Sequence, residues 1–200
     1  RSGNRAMPEE TNRIATDRLS TLLFCPTRRS QLQLRSEGIV RGVHNVGDVM
    51  ADLLFAWKPK LAASHRGGYF LATIHRNTNT DDTRRLESIL RALEGLDREV
   101  LMPLHPRTRA RLGGAPSSGR VRFLEPAPYG RMLELQAASD GVITDSGGVQ
   151  KEAFLLGVPC VTLREETEWP ETVEAGANAL CRPDPAAILR AMERVRRRAG

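Results

Sequence analysis

Two hundred residues suffice for about one domain, or one domain and part of another. With 40% hydrophobic and 27% charged residues the chain has the composition of a globular protein, and no apolar run nears the ~20 residues that span a bilayer, so no membrane association is expected and a cytoplasmic location is. The net charge of +6 (30 basic, 24 acidic) raises nucleic acid as a partner, but the arginines are dispersed and only 4% of residues are aromatic, which points away from it.

Residues 1–65 begin with a helix at Pro8-Glu9-Glu10 that carries Ile14 and Leu19. A short strand over Leu22–Cys25 follows, then a helix over Arg28–Glu37 closed by Gly38 and a longer one over Asp48–Leu61. One or two strands are too few for a sheet of their own. The block reads as the end of a preceding domain plus a connector.

Residues 66–200 alternate strand and helix. Strands are expected at Gly68–Ile74, Val100–Leu104, Val121–Leu124, Gly141–Thr144 and Cys160–Leu163. Between them come an amphipathic helix with Leu86, Ile89, Leu90 and Leu93 on one stripe, a short basic helix opened by Pro106, and a Gly, Pro and Ser-rich loop over Gly113–Gly119. A helix carrying Met132, Leu133, Leu135 and Gln136 and a helix from Gly147 to Leu156 follow. A last helix runs from Asp184 to Arg198. Strands separated by single helices imply right-handed crossovers and an α/β fold with a Rossmann-like, doubly wound parallel sheet.

The strand ending at Thr144 turns through Asp145-Ser146-Gly147-Gly148 straight into a helix. The exposed N–H groups and positive dipole end there form an anion site that glycine lets a phosphate approach, with the Ser146 hydroxyl as a further donor. Glu152, one turn along, can accept from a ribose diol. A glycine-rich packing turn with a Ser cap is the alternative. His75-Arg76 and His105 end two other strands, where open α/β sheets bind ligands. There a histidine either binds phosphate and moves protons or is a loop residue satisfied by backbone. Glu165 to Glu171, with Trp169 inside it, is either an acidic solvated loop before a Pro-started helix or an aromatic edge for a planar base. Glu9 and Glu10 are either reactive carboxylates or first-turn helix acids. His44 and His65 receive no role. Cys25, Cys160 and Cys181 are odd in number, widely spaced and set in apolar runs, which indicates buried small hydrophobes rather than disulfides or a metal site.

Together these segments resemble the non-hydrolysing UDP-N-acetylglucosamine (UDP-GlcNAc) 2-epimerases. The resemblance is carried by Pro8-Glu9-Glu10 with Asn12-Arg13, Pro26-Thr27, Val46–Met50, Ala72–Arg76 with Asn79–Asp82, Leu104–Thr108, Thr144–Glu152, and Leu163-Arg164 through Thr172, in that order. It implies the C-terminal half of a two-domain, glycosyltransferase-B-type architecture, an isomerase activity at C2 of UDP-GlcNAc by elimination and re-addition of UDP, and no metal or other cofactor. UDP and UDP-GlcNAc are the implied partners, with a homodimer for the full-length family.

By the same resemblance Ser146, Gly147 and Gly148 face the diphosphate and Glu152 the ribose. His75 and Arg76 lie at the phosphates, and Met132 and Trp169 lie near the base. Glu9 and His75 are the implied catalytic groups, and His105 matches a position linked to a regulatory second site. Thr78, Met132 and Trp169 depart from the residues many members carry there, which suggests a modified nucleotide sugar. The Glu of the family's Glu-Ala-Gly-Leu-Arg motif and the Asp-bearing strand of its first domain are not among these 200 residues, so this stretch alone is expected not to turn over substrate. A non-catalytic UDP-sugar-binding module and a glycosyltransferase of the same architecture are the competing readings.

Overall fold

The computed structural model describes residues 8–61, 67–113 and 119–199. The boundary expected at residues 65 and 66, His65, and most of the 113–119 loop lie outside them. The chain separates into two compact units, Arg1–Ala56 and Trp57–Gly200.

In the first unit, α1 (Pro8–Leu19) is followed by β1 (Leu23–Cys25), α2 (Arg28–Ser36), β2 (Val43–Asn45) and the start of α3 (Val49–Leu61). Thr27 caps α2, its hydroxyl accepting from the Ser30 N–H at 3.1 Å, as a Thr before a polar first turn does. Leu23, Cys25 and Leu34 form a small core. β1 and β2 pair in parallel, Leu23 opposite Val43. That corrects the expectation that this block has no sheet of its own: Val43–Asn45 is too short to carry an alternation signal, and pairing to β1 defines it.

The second unit is built on six parallel strands: β3 (Tyr69–Thr73), β4 (Glu99–Pro103), β5 (Val121–Leu124), β6 (Gly141–Thr144), β7 (Cys160–Thr162) and β8 (Asn178–Leu180). Their order is β5-β4-β3-β6-β7-β8. The chain therefore runs outward from β3 in one direction, returns, and runs outward from β6 in the other. This is the doubly wound order, with its switch point between β3 and β6.

Alternation divides the core. Phe70, Ala72, Val100, Met102, Ile143 and Val161 face one side, where they meet Leu86, Ile89 and Leu93 of α5 (Thr83–Glu94) and Ile188, Met192 and Val195 of α10 (Pro185–Ala199). Leu71, Leu101, Val142 and Cys160 face the other side, covered by α7 (Tyr129–Ala138) and α8 (Gly147–Leu156) through Leu135 and Ala153. Strands covered on both faces are apolar throughout, which is why they read as continuous apolar runs. Cys25, Cys160 and Cys181 are all buried and free, and burial pushes the Cys160 thiol up to about 12.

Three short helices complete the unit: α4 (Asn77–Thr80), α6 (Pro106–Arg111) and α9 (Pro170–Glu174). α4 and the strand β8 have no counterpart among the expected elements. Among the described residues no helix is long and apolar enough to cross a membrane.

Candidate functional site

Thr73 lies opposite Thr144 in the β3–β6 ladder, and their hydroxyls are 2.6 Å apart. The chain segments leaving these two strands therefore emerge side by side at the switch point. From β3 comes Ile74-His75-Arg76; from β6 comes Asp145-Ser146-Gly147. Adjacent parallel strands put both carboxyl ends on one edge, the usual ligand crevice of such a sheet.

Asp145 ties the two together. It is fully buried. Its Oδ1 lies 3.1 Å from Nδ1 of His75, and its carboxylate accepts the backbone N–H of His75 at 3.1 Å, that of Arg76 at 3.0 Å and the Nδ2 of Asn79 at 3.1 Å. Burial alone would raise its pKa, but the bonds from His75, Asn79 and Arg76 outweigh that and hold the carboxyl below its ordinary value.

Ser146 caps α8, its hydroxyl oxygen accepting from the Val149 N–H at 3.4 Å. The hydroxyl hydrogen remains a donor for a bound anion. The Ser146 N–H is directed to the Thr144 hydroxyl at 2.9 Å. The first-turn N–H groups of Gly147 and Gly148 have no carbonyl within the helix to receive them and point outward from its positive end. A Cβ on Gly147 would stand 3.6 Å from Glu168 Oε2 and 3.9 Å from Arg164 Nη1. The Glu168–Arg164 ion pair thus stands at the margin of the helix N-terminus, its carboxylate nearer than its guanidinium.

Arg164 is nearly buried and bound in fork geometry by Glu168, at 2.7 and 2.9 Å. Arg76 lies 3.9 Å from the same carboxylate. Burial would raise the Glu168 pKa, but the bonds and charge of Arg164, with Arg76 behind it, pull it down to about 2.

The segment from Glu165 to Glu171 is an acidic solvated loop only at Glu165; its other residues are half-buried. Thr167 donates to Gln150 Oε1 at 2.7 Å, and Asn178 donates to the same oxygen at 3.1 Å and to the Thr172 hydroxyl at 3.0 Å. The loop is thereby pinned to α8 and β8. The Lys151 ammonium sits 4.3 Å from the centre of the Trp169 ring, a cation–π contact. Glu152 is buried and accepts from the Gln136 Nε2 at 2.7 Å. Burial and the neighbouring Glu152 carboxylate push the Tyr129 hydroxyl upward. Met132 is half-buried against the Leu135 and Ala153 cluster.

His105 caps α6, its Nδ1 accepting from the Arg107 N–H at 3.2 Å, and its ring stands 5.4 Å from that of His75. Thr108, buried in the same helix, donates to the Ile74 carbonyl. Glu9 lies in the first turn of α1, in the other compact unit, and its side chain falls outside the described residues. Its neighbour Glu10 is buried and paired with Arg13.

The structure therefore gathers His75, Arg76, Ser146 and Gly147 at one sheet edge, with His105 beside His75. Asp145, Arg164, Glu168, Lys151, Gln136 and Tyr129 were not among the expected site residues. Asp145 was legible only as part of the Ser-Gly-Gly turn, and the Arg164–Glu168 spacing of four carries no helical meaning in a loop. Among the described residues no group of three or more His, Cys, Asp or Glu side chains is arranged to hold a metal ion.

The family model for UDP-N-acetylglucosamine 2-epimerase matches residues 1–199. The chain belongs to this family. It is 47% identical over 190 residues to the UDP-2,3-diacetamido-2,3-dideoxy-D-glucuronate 2-epimerase of Pseudomonas aeruginosa, covering 90% of this chain and 54% of that one. It is 36% identical to the UDP-N-acetylglucosamine 2-epimerase of Methanococcus maripaludis, covering 98% and 59%. The crystal structure of Methanocaldococcus jannaschii UDP-GlcNAc 2-epimerase in complex with UDP-GlcNAc and UDP superposes with a TM-score of 0.84 at 35% identity, covering 98% of this chain and 60% of that one. The chain spans a little over half the length of each of these relatives.

Proposed function

We propose that this epimerase-family chain forms the UDP-holding part of a nucleotide-sugar 2-epimerase. The observation that carries the reading is the N-terminus of α8 at the β3–β6 switch point, with His75 and Arg76 beside it. A diphosphate there receives the first-turn N–H groups and the Ser146 hydroxyl, and the Arg76 guanidinium supplies positive charge. Glu152 lies further along α8 for the ribose, and Met132 and Trp169 are assigned to the base.

The reaction follows from what such a pocket stabilises. Removal of the C2 proton by a carboxylate and departure of UDP from C1 leave a C1–C2 double bond; UDP then re-adds with the proton returned to the opposite face. The diphosphate carries the charge that develops on departure, so the helix N-terminus and His75 act where charge grows. Glu9 is assigned as one of the carboxylates. No metal or redox cofactor enters this scheme, and a homodimer is the assembly the family resemblance suggests. His105 is assigned to a second, regulatory nucleotide-sugar site.

Calorimetric titration of the chain with UDP tests the nucleotide site. Binding that weakens about tenfold on Ser146→Ala, the loss of one hydrogen bond to a charged group, is the expected result. No heat, or an affinity untouched by the substitution, counts against it. The chain by itself is expected to form no UDP-N-acetylmannosamine. Turnover detected by NMR and abolished by Glu9→Ala would overturn that.

The 47% identity to the Pseudomonas aeruginosa enzyme favours a second substrate reading, a UDP-diacetamido-glucuronate in place of UDP-GlcNAc. Competition between the two nucleotide sugars for the chain distinguishes them.

A further inference from the structure

Asp145 makes more contacts than a brace for two strand ends requires. Its two oxygens receive the backbone N–H groups of His75 and Arg76, which already fix the chain after β3, and Asn79 adds a third donor. Asn79 also donates to the Leu163 carbonyl at 3.2 Å, which ties the end of β7 into the same knot. Beyond these, Oδ1 stands 3.1 Å from the His75 Nδ1. An ionised carboxylate only accepts, so the imidazole nitrogen facing it carries the hydrogen. One carboxylate thereby holds both the backbone and the ring of His75.

We propose that Asp145 is the positioning residue of His75, holding the hydrogen on Nδ1 and turning Nε2 outward as the nitrogen that takes up a proton and, carrying it, donates to a nucleotide phosphate. The assignment of Nε2 to a phosphate rests on the UDP reading above; the tautomer does not. A buried acceptor on one ring nitrogen selects the tautomer and orientation of the other, as carboxylates do behind metal-ligating and catalytic histidines. The neighbouring ring is set the opposite way. The His105 Nδ1 accepts from the Arg107 N–H, so its hydrogen is on Nε2. Two imidazoles 5.4 Å apart therefore present different nitrogens: a bare Nε2 on His75 and an Nε2–H on His105.

The test is long-range 1H–15N NMR of the full chain with labelled histidine, which reads which ring nitrogen carries the hydrogen. The His75 Nδ1 is expected to be protonated and its Nε2 bare, with the reverse pattern on His105. Asp145→Asn keeps the volume and removes the charge. It is expected to shift the His75 signals towards a mixture of tautomers and to weaken UDP binding about tenfold. Asn79→Ala removes a bond to the same carboxylate but not the one to the ring. It is expected to lower the melting temperature and leave the His75 tautomer unchanged, which a purely structural Asp145 would not distinguish. An Nε2-protonated His75 in the unaltered chain overturns the proposal even if Asp145→Asn fails to fold. So does an unchanged tautomer in a folded Asp145→Asn chain. An Nδ1-protonated His75 whose signals do not respond to UDP supports the positioning and counts against the nucleotide site instead.

Discussion

Glu168 is held far below the ordinary carboxylate range, at about 2 against 4.5, because the Arg164 fork and Arg76 favour its charged form. A carboxylate with a depressed folded pKa stabilises the native state above its unfolded pKa, and that contribution fades as pH falls towards the folded value. The chain is therefore expected to lose stability between about pH 4.5 and 2, by on the order of 2–3 kcal/mol from this pair, and Asp145, also lowered, acts in the same direction. Thermal melts across that range check it: Glu168→Gln flattens the fall, and an equally steep curve in the variant refutes the assignment. Arg164→Met leaves Glu168 without its fork. The expected cost is about 3–5 kcal/mol, read from the midpoint of denaturant unfolding, because a charge that loses its partner keeps its desolvation penalty.

At the scale of the element, α8 joins two functions that substitution separates. Its N-terminus is an anion site and its C-terminus is a stop made by Gly157, whose φ of 71° is left-handed. Gly157→Ala meets open space but the wrong backbone region, and is expected to destabilise by about 1–2 kcal/mol without touching ligand binding. Gly147→Ala is the converse. An alanine Cβ there makes ordinary contacts in the chain itself, nearest at 3.6 Å, yet stands where a phosphate approaches. The melting temperature is expected to stay close to that of the unaltered chain while UDP binding in calorimetry is lost; retained binding would move the diphosphate away from this turn. Ser146 differs from both, since it caps the helix as well as facing the anion, and a loss on Ser146→Ala mixes about 1 kcal/mol of capping with the binding effect.

For the molecule as a whole, the sheet order decides more than any single motif. It places β3 and β6 at the centre and lets α5 and α10 meet on one face. The start of β6 shows how close that packing is: a Cβ on Gly141 would come within 2.9 Å of Met192 Sδ and 3.3 Å of the Phe70 ring. Gly141→Ala is expected to overpack this face and cost about 1–3 kcal/mol in denaturant unfolding, against about 3–5 kcal/mol for emptying it with Phe70→Ala.

The strands and long helices of the second unit were legible because burial on both faces or on one stripe leaves a direct mark in residue order: β5 and β6 fall at Val121–Leu124 and Gly141–Thr144 as read, and α8 at Gly147–Leu156. The three-residue β2 and β8 and the one-turn α4 left no such mark, since pairing partners, not their own pattern, define them. The site divides along the same line. That a helix starts at Ser146-Gly147 beneath a strand end, and that histidines close two strands, are local facts that the amino-acid order determines through propensity and turn chemistry. Which strands lie next to each other is a matter of long-range packing. Only the tertiary structure decided that the His75 and Asp145 strand ends emerge together, that Glu168 turns back onto Arg164 beside Gly147, and that His105 faces His75. The first and last of those contacts join residues distant in the chain, and the Arg164–Glu168 pair, only four residues apart, depends on a loop conformation that its spacing does not specify.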